Sequence, residues 1–274
     1  MIDDDDFGVS CREVGQHLAR VVGTGVVVFV GEAPASAQNA ARIKVCPNGC
    51  EYATIQDAIN AAPDGAKIII APGAYGGFTV PGTNSGLTKV TLVGAGAGVT
   101  TVGGVHVVID SGESATIRGV TITGASPPFG EYNGGGIDNS GTLTLDDSTV
   151  SKNTAMGGAG ILNSGKLILR DSTVSKNSGR GGGGILNWGT ATLKNSTISG
   201  NGAEVGGGVS NGGTLTLKDS TVSGNVASQD GGGIYEYSSA TATATVTVTV
   251  TESMISGNAP ENCWPLGSVA DCVG

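Results

Sequence analysis

The chain has 274 residues, of which 49 are Gly and 9 are Pro, with 4% aromatic residues and a formal net charge of −9. Glycine this abundant without a three-residue period excludes collagen, and so few aromatics call for a thin core of Ile, Val, Leu and Ala. The acidic balance excludes a broad phosphate-binding surface, so no nucleic acid is expected as a partner.

Residues 1–37 read as a leader segment. The apolar run VVGTGVVVFVG (21–31) follows Arg20, and Ala35-Ser36-Ala37 then offers small residues for cleavage, although the opening MIDDDDF is acidic where leaders are basic. The run is too short to span a bilayer, so no membrane span is expected and the protein is expected to be secreted or displayed at the cell surface. Residues 38–86 follow as an N-terminal cap and first coil. Within them Thr54 and Asp57 resemble a capping box with a shorter acid, and Ile55, Ala58, Ile59 and Ala62 share one helical face. Such a helix can plug the open apolar end of a tube.

Residues 87–258 carry a repeat. Ile137, Ile161, Ile185, Val209 and Ile234 are spaced 24, 24, 24 and 25 residues apart. Leu145, Leu169, Leu193 and Leu217 form a second column, and Val150, Val174, Ile198, Val222 and Ile255 a third. Each unit holds three short alternating segments, and alternation means strand. Three strands per 24 residues define an all-β, three-sheet parallel β-solenoid whose coils stack about 4.8 Å apart. At its corners stand Asn139, Asn163, Asn187 and Asn211; Asp147, Asp171, Asn195 and Asp219; and Asn153, Asn177, Asn201, Asn225 and Asn258. These residues tolerate left-handed backbone, and stacked Asn side chains can bond from coil to coil as structural ladders. Earlier coils are less regular, with Ile117 and Ile122 standing for Leu145 and Val150 at an offset of 28. In the last coil SSATATATVTVTVTE adds eight residues. It reads as an over-long strand, with 238–252 a surface for self-association.

Residues 259–274 form a C-terminal cap. Cys46 and Cys50 lie in CPNGC, and Cys263 and Cys272 in CWPLGSVADC. Local pairing into two terminal disulfides is the simplest connectivity and agrees with export; a four-Cys zinc centre would need both ends to meet.

Two stretches carry a family resemblance. TIQDAINAAPDGAKIIIAPGAYGG with VTLVGAGAGVTTVGG (90–104) resembles the cap and first coils of the pectate lyase-like superfamily of right-handed parallel β-helices, pectin methylesterases included. The GGGI and V/I-S-x-N columns resemble the repeats of polymorphic outer-membrane and adhesin-type β-helix proteins. The resemblance implies the fold and leaves the function open, because one fold hosts unrelated activities.

The residues favour a non-catalytic protein that binds polysaccharide or another cell-envelope component. No Gly-Arg-Pro-Trp signature of the esterases is present, and no dense acidic cluster for a lyase-type Ca²⁺ appears in the regular coils. His106, the only His after the leader, reads as a packing or surface residue. The residual catalytic candidates lie in the loop column Glu131, Met156, Arg180, Glu204 and Asp230. Glu204 and Asp230 one coil apart above Arg180 would make a metal-plus-base set for a divergent lyase or esterase, while solvated surface charge is the plainer reading. Phe129, Glu131 and Tyr132 in a longer loop, together with Trp188, Tyr235 and Tyr237, are the candidate ligand-binding residues, the aromatic ones suited to sugar stacking. A minor alternative is ice binding by the outward Thr149, Thr173, Thr197 and Thr221 beside Ser151, Ser175, Ser199 and Ser223.

Overall fold

The computed structural model describes residues 41–82, 86–127, 134–237, 246–265, 269 and 272, and the backbone of 11–14, 17–22 and 25–27. Contacts divide the chain into two units, 1–40 and 41–274. In the first, Cys11–Val14, His17–Val22 and Gly25–Val27 pair as an antiparallel meander that takes up part of the apolar run. The expected cleavage site at 35–37 lies outside the described residues.

The second unit is a solenoid with three parallel sheets. The first sheet stacks the short strands Ile137–Asn139, Ile161–Asn163, Ile185–Asn187, Val209–Asn211 and Ile234–Glu236; the second stacks Thr142–Asp146 through Thr247–Thr251; the third stacks Thr149–Ser151 through Met254–Ser256. Pairing follows the sequence period, with Leu145 opposite Leu169 and Val150 opposite Val174. The irregular offset of 28 also holds, since Ile117 pairs with Leu145 and Ile122 with Val150. Alternation sends every second side chain inward, so Ile137, Ile161, Ile185 and Val209 are fully buried, as are Leu145, Leu169, Leu193 and Leu217.

The N-terminal end carries the helix Ile55–Ala61. Thr54 caps it by accepting from the Asp57 N–H at 3.1 Å while its hydroxyl donates to the Asp57 carboxylate at 2.6 Å. Ile55, Ala58, Ile59 and Ala62 are buried against the core, and the residue before Pro63 ends the helix. Disulfides join Cys46 to Cys50 and Cys263 to Cys272. At the far end Cys263 and Trp264 pair with Ile234 and Tyr235, covering the edge of the first sheet. Among the described residues no helix is long and apolar enough to cross a membrane.

The two Asn columns at 139 and 153 are inward ladders. Asn139, Asn163 and Asn187 each donate to the Asn one coil on at 2.7 Å, the chain ending at Asn211. Asn153 through Asn258 form a second ladder, which Asn262 extends by accepting from the Asn258 amide at 3.0 Å. Left-handed backbone sits elsewhere than these two columns. Asp147, Asp171, Asn195 and Asp219 have φ of 48° to 50°, as their column predicts, but at the next corner the positive φ falls one residue before each Asn, at Lys152, Lys176, Gly200 and Gly224. The Asn there is held by its bonds instead of turning the chain.

Of the segment expected as an over-long strand, the described part holds the strand Thr247–Thr251. Thr247–Thr251 has five residues like its neighbours, and Leu215 pairs with Val248 and Leu217 with Val250, so parity is kept. The added residues precede the strand, and 238–245 lie outside the described residues.

Candidate functional site

The outward face of the first sheet carries a groove of about 470 Å³. Its floor is made by Leu162 and Leu186, which are paired across adjacent coils and point away from the core. One wall is the loop column Met156, Arg180 and Glu204; the other is Ser164 and Trp188. Tyr237 closes one end. The groove therefore follows the stacking direction across three coils, because each wall is a column repeated every 24 residues.

The sequence candidates converge here in part. Arg180 Nε donates to Glu204 Oε1 at 2.9 Å and its terminal nitrogen to Oε2 at 3.2 Å, a two-pronged ion pair between exposed groups on successive coils. These charges are paired with each other and stay exposed to solvent. Asp230 does not join them. The strand Gly202–Val205 meets Val226–Asp230 with a register shift, which sets Asp230 opposite Val205 rather than above Glu204. The extra residue of the 25-residue coil is taken up in that irregularity.

Trp188 and Tyr237 have ring centres 4.9 Å apart, and Tyr237 meets Tyr235 edge-on at 5.0 Å. Trp188 is 48% exposed. Its indole lies over Gly212 in the next coil, where an added Cβ would sit 2.3 Å from two ring carbons. Glycine at 212 is thus the condition for the indole to lie flat on the wall. Tyr235 stands outward between Ser210 and Trp264 in the first sheet. Burial, with Tyr235 alongside, pushes the Tyr237 hydroxyl above its ordinary range against the opposing effect of a hydrogen bond with Ser210. Phe129, Glu131 and Tyr132 lie outside the described residues.

One feature escaped the sequence reading. Asp138 pairs with Leu162, so it belongs to the outward row that becomes the groove floor. Burial raises its carboxyl above the usual range and Asp110 adds to this, while His106 and the Gly134 N–H oppose it. Asp138 is paired with Val108, two residues after His106. Unequal offsets in the early coils hid this neighbour. Among the described residues no group of three or more His, Cys, Asp or Glu side chains is arranged to hold a metal ion.

The chain matches the right-handed β-helix region family over residues 102–271, more than half of its length, and belongs to that family. No curated protein matches it. Two similar solved structures are pectin methylesterases. One, a mutant in complex with a hexasaccharide, is 12% identical over 77% of this chain and 78% of that one, with a TM-score of 0.49. The other, from Aspergillus niger in a penultimately deglycosylated form, is 14% identical over 83% and 88%, with a TM-score of 0.47. These likenesses concern the fold alone.

Proposed function

We propose that the protein is an exported β-helix that binds polysaccharide or a related cell-envelope glycan in the groove of the first sheet. The carrying observation is the exposed Trp188 indole stacked toward Tyr237 above an apolar floor, with a hydrogen-bonding ion pair on the opposite wall. A sugar ring presents C–H groups on its faces and hydroxyls around its rim. Aromatic faces take the first and polar side chains the second. The volume falls in the range of about 300–1,000 Å³ usual for small-ligand sites, which suits a short stretch of a glycan. Two disulfides support an oxidising compartment and hence secretion or surface display. The strand Thr247–Thr251 forms one edge of the second sheet, which supports self-association through 238–252.

The test is retention on immobilised polysaccharides, wild type against Trp188→Ala, with reducing ends, unsaturated ends and released methanol assayed in parallel. Retention that is weakened about tenfold or more in the variant, at unchanged stability, supports the reading. Equal retention of both proteins would place the binding surface elsewhere. Product formation lost in Glu204→Ala would make the protein a lyase or esterase.

A further inference from the structure

The charge of the groove restricts which glycans it can take. Among the described residues Arg180 is the one cation lining it, and two of its nitrogens are committed to both oxygens of Glu204. A carboxylate on a sugar would have to displace Glu204 from that guanidinium or lie beside it against like charge. Along the same outward row the floor is followed on one side by Asp138, an acid, and on the other by the uncharged Ser210. The chain as a whole carries −9, so no longer-range field draws a polyanion in.

The outer edge of a paired guanidinium and carboxylate is a different kind of partner. It offers N–H donors beside oxygen lone pairs with no net charge. That pattern suits neighbouring sugar hydroxyls, each of which donates and accepts. The aromatic wall reinforces this, because Trp188 and Tyr237 contact the C–H faces of a ring whatever its charge.

We infer that the groove selects uncharged oligosaccharides, stacked on Trp188 and Tyr237 and bonded through hydroxyls to the Arg180–Glu204 pair, and rejects polyuronates. This rests on the glycan-binding reading above and narrows it. It sets the protein apart from a binder of de-esterified, acidic polysaccharide, for which Arg180 would have to be uncompensated.

The discriminating experiment uses the full chain and one sugar backbone in two charge states. Oligogalacturonate and the same oligomer fully methyl-esterified are titrated by calorimetry, beside neutral gluco-, manno- and xylo-oligosaccharides. The expected result is binding of one or more uncharged oligomers, with oligogalacturonate at least about tenfold weaker. Affinity for the uncharged ligand should stay flat between roughly 0.05 and 0.5 M salt, over which screening of exposed charges strengthens several-fold. Glu204→Gln releases the guanidinium from its anionic partner, and this variant should gain affinity for oligogalacturonate that declines with salt. Tight oligogalacturonate binding by wild type, lost in Trp188→Ala, would keep the groove as the site and overturn the charge selection. Binding of no oligomer of either kind would remove both readings together.

Discussion

Replacing Asn177 by Ala removes one rung from the middle of a buried ladder. Asn177 is 1% exposed, and its Oδ1 accepts from both the backbone N–H and the side-chain amide of Asn153 at 3.0 Å. Its own amide donates to the Val150 carbonyl at 3.1 Å and to Asn201 Oδ1 at 3.0 Å. After truncation the Asn153 amide keeps the Ile122 carbonyl and Asn201 Oδ1 keeps the Asn177 N–H, but the buried Asn153 N–H loses the acceptor that Asn177 supplied. An orphaned buried donor costs about 1–3 kcal/mol, and the weakened neighbours add about 1 kcal/mol more, so a loss of about 2–4 kcal/mol is expected. Urea unfolding followed by circular dichroism measures it as a lower midpoint at unchanged slope. Ser175→Ala, outward on the adjacent strand, serves as the control and should change stability by less than about 0.5 kcal/mol. An Asn177→Ala midpoint equal to that control would refute the claim that the ladder holds the coils together. Asn177→Asp sharpens the test. Its carboxylate would be buried with one oxygen against the Val150 and Asn201 oxygens, which outweighs the two donors Asn153 offers the other, so its folded pKa rises above the unfolded value. Its stability is then best below about pH 4 and declines as pH rises through the folded value.

Gly212→Ala should push the Trp188 indole off its wall and away from Tyr237, weakening near-ultraviolet dichroism and glycan binding together; unchanged spectra would show that the indole does not rest there. Leu193→Ala opens a cavity in a fully buried column and should cost about 2–5 kcal/mol in urea, more than truncation of the half-buried Thr192 beside it. Asp138 holds its proton to higher pH in the folded chain than in the unfolded one, so its contribution is complete below the unfolded value and fades as pH rises through the folded one. Asp138→Asn keeps an acceptor for Gly134 and should narrow the difference in urea midpoint between acid and neutral pH; identical pH profiles for variant and wild type would contradict that origin.

The regular coils were legible in the sequence because here the period along the chain is also the period in space. Once Leu145, Leu169, Leu193 and Leu217 are seen 24 residues apart, parallel stacking and alternation assign their sheet, register and burial. The same argument made Asn153 to Asn258 a ladder and kept Val248 and Val250 in parity through an irregular coil. A period says which residues share a column but not how far a side chain reaches across columns, nor where an added residue is absorbed. Only the tertiary structure set Asp230 opposite Val205, moved the left-handed turn to Lys152 and Lys176, and paired Asp138 with Val108 across unequal coils. The groove belongs to that second class. Trp188 and Tyr237 are far apart in sequence and lie in different coils; the indole reaches across because Gly212 leaves room for it, and a residue without a side chain leaves no mark in a hydrophobic pattern.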